Sequence, residues 1–228
     1  MSAFEPAEFE REARRKRRVP WGVIALVLLT GLALIRNGSG EFDEGPPQPA
    51  GAAAADSRVP GATVATATAT ATAVQPLPYS VPGRVRIPAI QVDAPVMAVG
   101  LDAEGRVDAP PPEDPNLAGW FTGGVAPGEK GTAVVVGHVD NHLGPAVFYG
   151  LGALTKGNHV EVEREDGKAA VFEIYGIEVF AKKDFPGDRV YNSKGSPELR
   201  VITCGGGFTQ QDGYDGNVVV FARLAEVR

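Results

Sequence analysis

From Tyr79 onward the apolar residues come in short bursts, each cut off by glycine, proline, asparagine or aspartate, a rhythm that leaves no room for long helices. Arg84-Val-Arg-Ile87 and Ile90-Gln-Val-Asp-Ala-Pro-Val96 flank a proline turn, and Thr132 to Val139 is almost wholly apolar. His159-Val-Glu-Val-Glu163 alternates, and Asp166-Gly167 turns the chain into Ala169 to Phe180, the pattern of a hairpin. Two further runs, Leu199 to Ile202 and Asn217 to Phe221, follow. About eight short strands in roughly 150 residues predict an all-β domain, a closed barrel or sandwich. Brief helical turns are expected near Asn116-Leu-Ala-Gly-Trp120 and Gly144-Pro-Ala-Val-Phe-Tyr-Gly-Leu151.

The residues before Tyr79 are not expected to build that core. Arg11, Arg14, Arg15, Lys16, Arg17 and Arg18 form a basic block, and the uncharged run Val19 to Ile35 follows it directly. A bilayer-spanning helix needs roughly 17–25 such residues. A cleaved signal peptide has a shorter apolar core and a small-x-small cleavage site, and Ala33-Leu-Ile35-Arg36 lacks that pattern. The expectation is a retained anchor with its basic side cytoplasmic and everything beyond Arg36 exported. Residues 37–78 carry Gly45-Pro-Pro-Gln-Pro49, Gly51-Ala-Ala-Ala-Ala55 and the alternation Thr63 to Ala73, side chains too small to offset the entropy of ordering them, and read as a stalk. The expected organisation is therefore a basic terminus 1–18, an anchor 19–36 in contact with membrane lipid, a stalk 37–78 and a catalytic domain 79–228. The formal net charge of −6, with the basic block set aside, makes the exported part acidic and argues against nucleic acid as a partner.

Within the domain one cysteine stands out because it is the only one, so no internal disulfide can use it. Cys204 follows the apolar run that ends in Ile202-Thr203, and His138 ends the run Ala133 to Gly137. If both runs lie in one sheet, thiol and imidazole meet at the strand ends, the outline of a cysteine nucleophile with a proton-transfer partner. The thiolate is the reactive form, and an adjacent imidazolium favours it. His142 is a rival for that role, and Asp140 is a candidate to orient an imidazole. Backbone N–H groups of Gly205-Gly206-Gly207, read as a turn, are candidate donors to an oxyanion. A different reading spaces His138, Asp140 and His142 at period two on one strand face, where they and Cys204 would hold zinc.

These elements together resemble the sortase family. The resemblance rests on Gly137-His138-Val-Asp140 after an apolar strand, the segment 144–151, Ile202-Thr203-Cys204 and the final run Asn217-Val-Val-Val-Phe-Ala222, and it looks closest to the class E and F enzymes of high-GC Gram-positive bacteria. It implies an eight-stranded sortase β-barrel and a cysteine transpeptidase or hydrolase without a cofactor. Cys204 would attack the Thr–Gly carbonyl of a Leu-Pro-x-Thr-Gly-like sorting signal on exported proteins, His138 would move the proton, and a peptidoglycan-precursor amine would take the acyl group. Thr203, Gly205, Gly206 and Tyr214 would contact substrate, and Trp120, Tyr149, Tyr191 and Phe208 are further groove candidates. Sortases also carry an arginine near the start of the final strand. Here that stretch is Tyr214-Asp215-Gly216-Asn217-Val218, so Asn217 is assigned the donor role, with Arg189 and Arg223 as alternatives. A sortase-like module that binds peptide without cleaving it is the remaining alternative; an L,D-transpeptidase is disfavoured because its Ser-His-Gly element is not what precedes Cys204.

Overall fold

Alternation carries most of the strands into one sheet that closes on itself. A computed structural model describes residues 45–50, 74–193 and 195–228 of the 228. The barrel strands are β1 (Pro82–Ile87), β2 (Val92–Val99), β3 (Ala118–Phe121), β4 (Gly131–Val136), β5 (His159–Arg164), β6 (Ala169–Ala181), β7 (Pro197–Thr209) and β8 (Gly213–Val227). They close in the order β1-β2-β3-β4-β7-β8-β6-β5, which leaves no open edge. The expected eight-stranded barrel is thus the fold. The basic block and the apolar run 19–35 lie outside the described residues, and among those described no helix is long and apolar enough to cross a membrane.

Period two decides what each strand buries. Val85 and Ile87 of β1 point inward and are fully buried, whereas Arg84 and Arg86 point out to Asp93 and Glu163 on the neighbouring strands. The barrel interior gathers Val135, Phe172, Ile174, Leu199, Val201 and Val220 with their neighbours. β4, β7 and β8 are buried on both faces. On the outer face Val134, Val136, Ile202, Val219 and Phe221 form a second apolar cluster, covered by the segment that joins β6 to β7. That segment holds a helix of five residues, Gly187–Tyr191, too short to persist alone. It is held by burial of Val190, worth about 1.5–3 kcal/mol for a side chain of this kind, and by Arg200, whose Nε donates to the Val190 carbonyl at 3.0 Å. Arg200 is 3% exposed, lies over the Phe221 ring at 4.7 Å and pairs with Glu198, so its charge is matched where it is buried.

Two expectations are revised. Residues 116–120 are not a helical turn: Ala118–Phe121 is β3, parallel to β2 and antiparallel to β4, because Gly119 lets Val99 and Pro110 approach where a side chain would collide. The ends of the stretch read as a stalk also lie on the barrel. Val74 and Leu77 pack against the core, the Leu77 N–H donates to the Gly128 carbonyl at 2.8 Å, and the buried Arg164 donates to the Pro78 and Pro127 carbonyls at 2.6 and 2.5 Å. Pro46 and Pro49 are buried as well. Composition missed these contacts because they are made by two isolated apolar side chains, a few prolines and backbone groups, whereas residues 51–73 lie outside the described residues.

Candidate active site

The parallel pairing of β4 with β7 brings the two chemically distinctive segments together. Val136 lies opposite Ile202; one residue on, the Gly137 N–H donates to the Ile202 carbonyl at 3.2 Å and the Thr203 hydroxyl donates to the Gly137 carbonyl at 2.8 Å. The next pair along this alignment is His138 and Cys204. Since Val136 and Ile202 belong to the outer cluster, alternation points both side chains to that outer face. Each is half-buried. Gly137 is needed at the bend because a Cβ there would strike the rings and methyls of Phe148 and Val147 at 2.6 Å.

β8 supplies the third group. Asn217 pairs directly with Cys204 on one side and with Phe180 of β6 on the other, so its amide shares the outer face with the thiol. This register depends on a bulge. Thr209 pairs with Gly213 and Phe208 with Tyr214, each pair summing to 422, but Gly205 pairs with Gly216 and Cys204 with Asn217, each summing to 421. Asp215 thus faces both Gly206 and Gly207, and without the extra residue Cys204 would sit opposite the core residue Val218. The three glycines are therefore not the turn expected from composition. They continue β7, and Gly206 takes the left-handed φ of 85° that the bulge requires. The Gly207 N–H is held by the Asp215 carboxylate at 2.7 Å, and the Gly206 N–H is met by the Gln48 side-chain carbonyl at 3.3 Å.

The imidazole is oriented by main chain rather than by a carboxylate. His138 Nε2 lies 2.7 Å from the carbonyl of Pro110, an acceptor only, so Nε2 carries the hydrogen and Nδ1 is left to exchange a proton. Pro110 opens the run Pro110-Pro111-Pro112, whose fixed φ holds the carbonyls in place; Pro112 accepts from the Asn141 amide at 2.7 Å. The His138 and Val139 carbonyls accept from the Phe148 and Ala146 N–H groups at 3.0 and 2.9 Å, which pins the segment beyond β4. This carbonyl partner carried no sequence signal, because any residue at 110 would supply one.

Asp140 and His142 do not serve the roles considered for them. Asp140 accepts a short hydrogen bond from the Tyr214 hydroxyl. Burial pushes the Tyr214 hydroxyl well above the ordinary tyrosine pKa, and the bond to Asp140 and the nearby Tyr149 and Cys204 add to it, so at neutral pH it is a donor. Tyr214 also packs against Phe208, with ring centroids 4.9 Å apart. The chain then reverses in a ribbon pairing Asp140 with Pro145 and Asn141 with Gly144, leaving His142 exposed at its tip. A strand face bearing His138, Asp140 and His142 is therefore not formed, and among the described residues no three metal-binding side chains converge.

Neither candidate arginine takes the strand position opposite Cys204, which is held by Asn217. Arg223 is six residues past Asn217 on β8, about 20 Å away at ~3.3 Å per residue, and pairs with Glu173. Arg189 stacks over Phe180 at 5.3 Å and pairs with Glu178. It lines a crevice of about 520 Å³ with Tyr175, Glu198 and Arg200. Trp120 is 4% exposed and gives its N–H to the Val125 carbonyl, so it belongs to the core rather than a groove.

A family model described as the sortase domain matches residues 85–225, and the chain belongs to the sortase family. Among solved structures, the SrtA sortase from Actinomyces oris is 18% identical with a TM-score of 0.50, the match covering 68% of this chain and 85% of that one. A lid mutant of sortase A from Corynebacterium diphtheriae is 17% identical with a TM-score of 0.50, covering 66% and 73%. Sortase C1 of Streptococcus agalactiae, in its complex with MTSET, is 22% identical with a TM-score of 0.48, covering 64% and 69%. At these identities the likeness is one of fold. No curated protein matches the chain.

Proposed function

We propose that this sortase is a membrane-anchored extracellular cysteine transpeptidase, of the class E or F type that its motifs resemble, which cleaves a Leu-Pro-x-Thr-Gly-like sorting signal and passes the acyl group to a cell-wall amine. The observation that carries the reading is the placement of Cys204, His138 and Asn217 on one face of three adjacent strands, His138 just past the end of β4 and the other two within β7 and β8. In the forward step the Cys204 thiolate bonds to the Thr carbonyl carbon and the π electrons move to oxygen. Collapse breaks the C–N bond, and the glycine amine leaves with a proton from His138 Nδ1. An incoming amine, or water, then bonds to the thioester carbon, His138 takes its proton, and the C–S bond breaks. The peptide lies across the outer face, with Thr203 orienting the strand ends from beneath and Gly205, Gly206 and Tyr214 at its side. The anchor and the exported location rest on the basic block and the apolar run that follows it.

Incubating the full-length chain with a panel of sorting-motif peptides tests this reading. The expected result is an acyl-enzyme, seen by intact mass as the chain plus the peptide up to its threonine, that disappears on addition of an amine such as glycine oligomers. Binding without any such adduct would instead favour a peptide-holding module, a reading that draws on the absence of an arginine beside Cys204 among the described residues.

Both tetrahedral intermediates need a donor at the oxygen that becomes negative. Asn217 is assigned that role because it lies opposite Cys204 and shares its face, and an asparagine amide serves as a neutral donor in other acyl-transfer sites. Asn217→Ala is expected to lower kcat by roughly 10²–10³-fold with little change in KM. Arg223→Ala is expected to leave both near the parent values. A silent Asn217→Ala would return the role to an arginine or to main chain alone.

A further inference from the structure

Gly45-Pro46-Pro47-Gln48-Pro49-Ala50 should have no fixed position by composition, yet it has one on the barrel. Its prolines lack N–H groups and fix φ, so the segment joins no sheet and bonds through carbonyls and the Gln48 side chain. Two contacts define its seat. Gln48 Oε1 accepts from the Gly206 N–H at 3.3 Å, two residues from Cys204, while Gln48 Nε2 donates back to the Pro46 carbonyl at 3.1 Å. The Pro47 carbonyl sits against Gly152, so close that a Cβ there would overlap it. Gly152 is buried in the 3₁₀ turn Tyr149–Ala153, whose first residue lies near Tyr214. Among the described residues no backbone–backbone hydrogen bond joins the segment to the barrel. It is held by buried prolines and one side-chain bond, the kind of contact that opens locally at small cost.

We propose that residues 46–50 are a strap that occupies part of the peptide-binding face in cis and must leave before a sorting peptide binds. The Gly206 N–H is a main-chain donor in an outward bulge beside the nucleophile, the group an extended peptide uses when it lies along a strand. The strap meets it with an amide carbonyl and is a proline-bearing chain, chemistry shared with the proposed substrate. The identity of the displaced competitor rests on the sortase reading; the seat of the strap does not.

Gly152→Ala is the most selective test. The three nearest atoms to the new methyl are all in the strap, the Pro47 carbonyl carbon and oxygen and the Gln48 Cα, and Gly152 has no left-handed φ that alanine would resist. The substitution therefore evicts the strap without touching the catalytic groups. If the strap is docked about nine-tenths of the time, its loss lowers the apparent KM for sorting peptide roughly tenfold with kcat unchanged. Deletion of residues 45–50 from the full chain should do the same. In the deleted chain the free peptide Gly-Pro-Pro-Gln-Pro-Ala should bind with Kd on the order of 0.1 mM, as follows for a tethered segment at an effective concentration of about 1 mM that is docked nine-tenths of the time. It should compete with sorting peptide and bind the parent chain far more weakly. An unchanged or raised KM in both variants, or no binding of the free peptide to the deleted chain, overturns the proposal. Binding of the free peptide in a chain that never forms an acyl-enzyme leaves the strap in place and sinks the sortase reading instead.

Discussion

Cys204→Ala should form no acyl-enzyme and turn over no peptide, while its melting temperature is expected to stay within about 2–4 °C of the parent, the scale of a 1 kcal/mol change in a domain of this size. The first half follows from the chain having no other cysteine to form the thioester. The second follows from where the side chain sits. Cys204 is half-buried on the outer face, and its sulfur is not among the hydrogen-bonded groups that hold β4 to β7; the Thr203 hydroxyl and the Gly137 amide do that. Removing a thiol at such a place takes away little buried surface. The experiment is a thermal melt beside an intact-mass time course with sorting peptide. Normal turnover by the alanine variant would remove the nucleophile, and with it the cysteine mechanism.

The strands were legible because they alternate. Arg84-Val-Arg-Ile87 and His159-Val-Glu-Val-Glu163 each expose one residue type and bury the other, and the Asp166-Gly167 turn is set by Gly167 with a φ of 80°. β3 was not legible, since four residues with a glycine among them have no period to read. The meeting of His138 with Cys204 was readable only as a possibility of pairing, because parallel neighbours 66 residues apart in sequence share no local signal. The glycine triplet was misread for a definite physical reason. Glycines mark either a reversal or a bulge, and here the reversal falls between Thr209 and Gly213, whereas Gly206 and Gly207 make room for the Asp215 carboxylate. That single extra residue is what sets Asn217 rather than Val218 opposite the thiol. The prolines of residues 45–50 set them apart from the Ala/Thr tracts but not as core; their place comes from the lack of a side chain at Gly152, the burial of Pro46 and Pro49 and the Gln48 bond.

His138→Ala should lower the single-turnover acylation rate by roughly 10²–10⁴-fold, the range for loss of a positioned proton-transfer group, while His142→Ala stays near the parent. Both are histidines of one short segment, yet the fold treats them differently. His138 extends β4 beside Cys204 and is fixed through Nε2 by the Pro110 carbonyl, whereas His142 is at the exposed tip of the ribbon, between Asn141 and Leu143, whose N–H donates to the Asn141 side chain at 2.8 Å. His138→Gln separates the two functions of the ring. Its amide can still donate to Pro110, so the loop stays packed, but it cannot accept and return a proton at neutral pH. If positioning alone mattered, the glutamine chain would recover most of the lost rate; if proton transfer matters, it remains as slow as the alanine chain with an unchanged melting temperature. The second outcome is expected, because the leaving amine must acquire a proton as the C–N bond breaks and, of the two candidate histidines, only His138 has a free ring nitrogen on the same face as the thiol. A fast His138→Ala chain together with a slow His142→Ala chain would move the acid–base role to the ribbon tip, and would require the 140–145 reversal to refold over Cys204 when peptide binds.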